Sequence, residues 1–111
     1  MEREETIAEV AALAQRIRWG ALASICDDGT ALASQVAAAV DAQRGRLLFH
    51  LSELAEHTRN VLARPRASVV LCEPDIGVAD PQTLARVTVT GVMTCLERES
   101  IEAVHARAVY L

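Results

Sequence analysis

Residues 49–65 read FHLSELAEHTRNVLARP, so an apolar, strand-like end runs directly into a short helix. Ser52 is the predicted N-cap of this helix, because a serine hydroxyl can accept hydrogen bonds from first-turn N–H groups. Pro65 ends the helix, since the residue before a proline is pushed out of the α region. The first N–H groups of a helix lack partners within it, and the helix dipole favours an anion. A strand-to-helix turn that also carries two histidines and two arginines therefore suits a phosphate.

Turn signals on either side of this stretch divide the chain into short elements. Asp27-Asp28-Gly29-Thr30 predicts a hairpin, and Gly91 predicts a bulge in the most clearly alternating strand. The predicted elements are a helix over 4–18, strands over 21–26, 31–40 and 46–51, a helix over 52–63, strands over 67–72 and 86–96, and a last helix over 99–111. This order is typical of a small, mostly antiparallel β-barrel (α+β) with helices at its rim.

The length of 111 residues predicts one domain over 1–111. It would consist of the N-terminal helix over 4–18 and barrel strands and helices over 20–111. The last predicted helix reaches Leu111 without a C-cap, and five strands leave an open sheet edge. We therefore expect a chain that is truncated at its C-terminus and lacks the final strand.

Composition and charge exclude several classes of function. The formal net charge is −4, and all 11 basic side chains are scattered arginines. Because nucleic-acid binding needs a clustered basic face, a nucleic-acid partner is not expected. The N-terminus is charged and no apolar run reaches the length of a membrane span, which predicts a cytoplasmic protein without a membrane partner. Cys26, Cys72 and Cys95 lie far apart in apolar runs, and we expect them to be buried, reduced thiols.

Motif spacing narrows the chemistry further. His50 and His57 have no third ligand at metal-binding spacing, so no metal site is expected. The chain has no G-x-S-x-G elbow, no G-x-G-x-x-G loop and no P-loop, which argues against a hydrolase, a Rossmann enzyme or an NTPase. An ordinary capped helix start remains an alternative for the turn at Ser52. Glu53 and Glu56 favour it, because they already complement the helix dipole and would repel a phosphate.

Four groups of residues resemble a known superfamily. They are Asp-x-x-x-Gly at Asp41, Ser-x-Leu-Ala-x-His-Thr-x-Asn at Ser52, Pro-Arg-Ala-Ser at Pro65 and Arg-Val-Thr-Val-Thr-Gly at Arg86. Together they resemble the pyridoxamine 5′-phosphate oxidase-like, FMN-binding split-barrel superfamily, and in particular its haem-utilisation (HugZ-like) branch. The resemblance covers nearly the whole chain from about Trp19 onward.

The resemblance implies a six-stranded split barrel that dimerises, with FMN in a groove between the subunits. It implies cofactor-binding roles for Ser52, His57 and Arg59 near the phosphate, and for Gln35, Arg86 and Thr88 nearer the ribityl chain or ring. In the oxidase itself a Ser-Arg-Lys segment holds the phosphate. At the matching positions this chain has Ala55, Glu56 and His57.

These expectations lead to a first hypothesis, a cytoplasmic, homodimeric flavin-dependent oxidoreductase that acts on a small substrate with FMN at the subunit interface. A haem-binding or haem-degrading protein of the same fold is the second, with an imidazole such as that of His105 as the iron ligand. The third is a non-catalytic split barrel that serves as a binding module, which Glu53 and Glu56 favour. The sequence identifies no catalytic residue.

Overall fold

The computed structural model describes residues 12–13, 15–41 and 43–96. This part of the chain contains strands β1 (Trp19–Ile25), β2 (Ala31–Asp41) and β3 (Arg46–Phe49), helix α1 (Glu56–Ala63), strand β4 (Arg66–Cys72), a one-turn 3-10 helix (Pro81–Thr83) and strand β5 (Arg86–Val92). The five strands form one antiparallel sheet in the spatial order β3-β2-β1-β4-β5. The predicted succession of three strands, a helix and two strands is therefore confirmed.

Both predicted terminal helices fall largely or wholly beyond the described ranges. Of the helix predicted over 4–18, the structure describes residues 12–13 and 15–18. Residues 12–13 and 15–16 are helical, whereas residues 17–18 are not. The helix predicted over 99–111, which includes His105, lies outside the described residues.

The hairpin between β1 and β2 forms at the predicted turn. The N–H of Cys26 donates to the carbonyl of Thr30 at 2.8 Å, and the N–H of Thr30 donates to Asp28 Oδ1 at 2.9 Å. Gly29 has a φ of 87°, a left-handed conformation that glycine adopts without steric cost. The hydrogen bonds from Thr30 lower the pKa of the Asp28 carboxyl. The turn residues read from the sequence thus set the register of β1 on β2.

The hydrophobic core lies on one face of the sheet. In β1 every second residue is buried, as expected for a strand with one covered face. Leu22 and Leu71 are each 1% exposed, and Val61 of α1 packs in the same cluster. The other buried members of the cluster are Leu13, Ile17, Val36 and Val69. Helix α1 therefore covers the core face of the sheet.

The hairpin between β2 and β3 is organised by a buried carboxylate. The side chain of Asp41 is 1% exposed and accepts hydrogen bonds from Arg46 Nε at 3.1 Å and from Arg44 Nη1 at 3.3 Å. Burial alone would raise the pKa of Asp41, but the hydrogen bonds from Arg46 and Arg44 outweigh it, and the pKa is lowered. Gly45 supplies the left-handed turn residue, with a φ of 60°. The Asp-x-x-x-Gly motif thus stabilises the turn of this hairpin.

Two sequence predictions about side chains and strand geometry are wrong. Gly91 pairs with Ala67 in an unbroken ladder from Arg86 to Val92, so β5 has no bulge there. Cys26 is half-buried, whereas Cys72 and Cys95 are exposed. The alternation of β4 turns Cys72 away from the core, and Cys95 follows the end of β5. An apolar run alone did not show which face of the strand each thiol would occupy.

Membrane-spanning helices and metal-binding clusters are both absent from the described residues. None of the described helices is long and apolar enough to cross a membrane. Within the same ranges, no group of three or more histidine, cysteine or acidic side chains is arranged to hold a metal ion.

Candidate functional site

Helix α1 starts later than its sequence predicts. Its N-cap is Ala55, which makes no side-chain capping bond, so the prediction of Ser52 as N-cap is wrong. Ser52 instead closes an extra turn ahead of the helix, because its Oγ accepts from the N–H of Leu54 at 3.2 Å. Its carbonyl accepts from the N–H of Ala55 and from Thr58 Oγ1. Serine side chains commonly compete in this way for nearby backbone groups.

Because of this late start, no side chain caps the N-terminus of α1, which we call the helix entrance. The N–H groups of Thr58 and Arg59 donate to the carbonyl of Ala55 at 3.2 and 3.3 Å. The N–H groups of Glu56 and His57 have no hydrogen-bond partner among the residues that the structure describes. Two such N–H groups at the positive end of a helix can bind an anion.

Positive and negative side chains both surround this entrance. Arg59 Nη1 donates to the carbonyl of Leu54 at 2.9 Å, so the guanidinium folds back over the turn that precedes the helix. His57 is half-buried at the second position of α1. The Glu56 carboxylate accepts a hydrogen bond from Cys26 Sγ at 3.5 Å, which directs it toward the end of β1. One of the two acids that would repel a phosphate is therefore engaged by a neighbouring strand.

Asn60 is a buried polar residue that the sequence analysis did not single out. It is 4% exposed, and its Nδ2 donates to Ser24 Oγ at 3.2 Å and to Cys26 Sγ at 3.5 Å. An asparagine in a helix interior is a weak helix former, which is the signal that could have marked it for a tertiary role. Burial raises the pKa of the Cys26 thiol, and Glu56 adds to the rise while the hydrogen bond from Asn60 opposes it.

Arg64 forms a second attachment of α1 that sequence reasoning missed. Its Nε donates to the carbonyl of Ile25 at 2.9 Å, and its Nη2 bonds Asp27 Oδ1 at 2.8 Å. Arg64 is the C-cap of the helix, directly before Pro65. Its partners are about forty residues away in sequence, so no local pattern marks the contact.

Gln35, Thr88 and Arg86 all lie on the other side of the sheet. The strand register aligns Gln35, Ala21, Val70 and Thr88 in one row across β2, β1, β4 and β5. With strands about 4.8 Å apart, Gln35 and Thr88 are about 14 Å from each other. Arg86 lies two residues along β5 from Thr88, and therefore on the same face. All three side chains belong to exposed residues.

The six predicted site residues thus form two groups on opposite faces of one sheet. Ser52, His57 and Arg59 belong to the turn and helix that cover the core face, where Val61 packs beside Leu22. The row that contains Gln35 passes through Ala21, whose side chain points the opposite way from that of its neighbour Leu22. A single chain consequently does not bring all six residues into one pocket.

The chain belongs to the CREG β-barrel family, because the family model described as "CREG, beta-barrel" matches residues 2–111. This match and the structural comparisons confirm the predicted split-barrel fold and are consistent with the haem-utilisation branch of its superfamily. The five described strands accordingly form a curled antiparallel half-barrel. No curated protein matches the sequence significantly.

Three solved structures illustrate the likeness. A heme binding protein from Mycobacterium smegmatis is 33% identical over 88% of this chain, with a TM-score of 0.75. HutZ, the heme storage protein from Vibrio cholerae, is 21% identical over 91% of this chain and 70% of its own, with a TM-score of 0.79. An F420 reductase is 22% identical over 89% of this chain and 74% of its own, with a TM-score of 0.64. The present chain spans 39% of the length of the mycobacterial heme binding protein.

Proposed function

We propose that this protein binds FMN and serves as a flavin-dependent oxidoreductase on a small substrate. The observation that carries the proposal is the uncapped entrance of α1, where the N–H groups of Glu56 and His57 have no partner in the described chain. A phosphate at this entrance would meet the helix dipole, the His57 imidazole and the Arg59 guanidinium. Ser52 shapes the turn that places these groups.

The positions of Gln35, Arg86 and Thr88 support a cofactor site that is built from two copies of the chain. Gln35, Arg86 and Thr88 are on the face opposite to the phosphate turn, so a cofactor that contacts both groups requires a second subunit. The same outer face exposes Trp19 (57%) and Val92 (65%), which a partner would cover. In the proposed homodimer the phosphate turn of one subunit and the outer face of the other hold one FMN. Bound FMN would supply the redox chemistry, while the protein supplies binding, orientation and electrostatics.

Haem binding is a second candidate function. The observation that favours it is the 33% identity with a protein described as a heme binding protein. Among the described residues, His57 is half-buried and His50 is exposed, and imidazoles are common axial ligands of haem iron. A haem-binding or haem-degrading role would use the same fold with a different cofactor.

The absorption spectrum of the purified protein distinguishes these proposals. A flavin doublet, or saturable quenching of FMN fluorescence on titration, is the result expected for the first. A Soret band that saturates on haem titration, without FMN quenching, would overturn the first and support the second. A colourless protein that binds neither FMN nor haem would overturn both proposals and leave the binding-module hypothesis. Sedimentation of the FMN complex should give the mass of two chains.

A further inference from the structure

Helix α1 is held to the sheet by little apolar surface. Its buried residues are Asn60 and Val61, so Val61 is its buried apolar contact with the core. Leu62 is 64% exposed and turns away from the sheet. A helix of eight residues is too short to be stable in isolation, so its position must come from tertiary contacts.

The side-chain hydrogen bonds between α1 and the sheet converge on one place. Asn60 contacts Ser24 and Cys26 from the middle of the helix, and Arg64 contacts Ile25 and Asp27 from its end. All four partners lie in residues 24–27, where β1 passes into the hairpin turn. The Ser24 hydroxyl is itself buried at 1% exposure, where a hydrogen bond depends less on competition from water. We call the contacts of Asn60 and Arg64 with residues 24–27 the α1 latch.

We infer that Asn60 and Arg64 are positioning residues for the phosphate of the cofactor. The latch fixes the middle and the end of α1 against β1, and thereby sets where the N–H groups of Glu56 and His57 point. It also holds Cys26 beside Glu56, so that the carboxylate stays directed toward β1. This inference rests on the proposed binding of FMN at the same turn.

Arg64 is the better of the two residues to vary. Removing Asn60 would leave the buried Ser24 hydroxyl without its partner and would affect folding. The Arg64 side chain is 38% exposed, so Arg64→Gln removes the contact with Asp27 at less cost to the core. Arg64→Lys retains the charge but not the two directed N–H donors, so it serves as a partial rescue. Arg16→Gln is a matched control, because it breaks an exposed ion pair of similar length, 2.9 Å to Glu73, away from α1.

The test combines FMN titration with hydrogen exchange of the α1 amides, under conditions where every variant is folded. We expect Arg64→Gln to weaken FMN binding about tenfold, the scale of one charge-assisted hydrogen bond, and to speed exchange in α1. Arg64→Lys should recover part of both effects, and Arg16→Gln should change neither.

Each contrary outcome has a different meaning. Faster exchange in Arg64→Gln with unchanged FMN affinity would overturn the positioning role while leaving FMN binding in place. Weaker FMN binding with unchanged exchange would make Arg64 a direct ligand and would also overturn the positioning role. If the unmodified protein does not quench FMN fluorescence, the proposed function fails first, and the latch loses this role with it.

Discussion

Replacing Gly20 with alanine probes how closely β1 and β4 approach each other. Gly20 is buried on the core face of β1, and a Cβ at this position would lie 2.7 Å from Val69 Cγ2 and 2.9 Å from Leu71 Cδ2. It would also lie 3.1 Å from the carbonyl oxygen of Val70. Carbon atoms pack best at about 3.5–4.0 Å, so all three neighbours would have to move. The carbonyl belongs to the backbone of a paired strand, which cannot turn aside as a side chain can.

The expected cost follows from these distances. Adding a methyl group to a filled core typically costs about 1–3 kcal/mol. Alanine restricts the unfolded chain more than glycine does, and this effect raises the unfolding free energy by about 0.4–1 kcal/mol. The net loss of unfolding free energy should therefore be about 1–2 kcal/mol. For a domain of this size, that corresponds to a fall in melting temperature of roughly 4–15 °C.

Urea unfolding followed by far-ultraviolet circular dichroism measures this loss. Gly91→Ala is the matched control, because a Cβ there has no described atom within 4 Å and its φ is not positive. We expect the control to be as stable as the unmodified protein or slightly more stable, since alanine reduces the freedom of the unfolded chain. A Gly20→Ala variant within about 0.5 kcal/mol of the unmodified protein, the spread of neutral surface substitutions, would refute the reasoning. A Gly91→Ala variant that loses as much as Gly20→Ala would refute it equally.

Three further predictions concern polar residues. Asn60→Ala should lower the unfolding free energy by about 1–3 kcal/mol in urea titration, because the buried Ser24 hydroxyl loses its partner. Adding Ser24→Ala to this variant should restore part of the lost stability. If the double variant recovers no stability, this explanation is wrong. The lowered pKa of Asp41 means that its stabilisation is complete above about pH 4 and is lost as the pH falls through the folded-state pKa. Asp41→Asn should therefore reduce stability at pH 7 and flatten the acid limb of a plot of stability against pH, and parallel acid limbs would contradict this. The double variant His57→Ala, Arg59→Ala should weaken FMN binding at least about tenfold in fluorescence titration, and an unchanged affinity would show that the phosphate binds elsewhere.

The order of the elements could be predicted because its signals are local. The turn at Asp27-Asp28-Gly29-Thr30 carries its own hydrogen bond and its left-handed glycine, so four consecutive residues suffice to place the hairpin. Pro65 likewise ends α1 through its effect on the residue before it. The motif at Asp41 was recognised from its spacing, although its physical role, a buried carboxylate between two arginines, became clear only from the folded hairpin.

The start of α1 could not be predicted from the local sequence. Ser52 has the chemistry of an N-cap, but its hydroxyl bonds Leu54 and the helix begins after Ala55. Both arrangements satisfy a serine side chain, and the choice between them depends on how α1 docks on β1. The partners that fix that docking, such as Ser24 for Asn60, are 36 residues distant in sequence.

The sequence by itself determined the succession of strands and helix, the hairpin turns and the family to which the chain belongs. The tertiary structure alone decided that Gln35 and Thr88 share a row on one face of the sheet while His57 and Arg59 lie over the other. The physical reason is that backbone preferences act between neighbours, whereas strand register and the side on which a helix packs depend on burial of residues far apart in the chain. The two halves of the proposed cofactor site are therefore visible in the sequence, but their separation by the sheet is visible only in the fold.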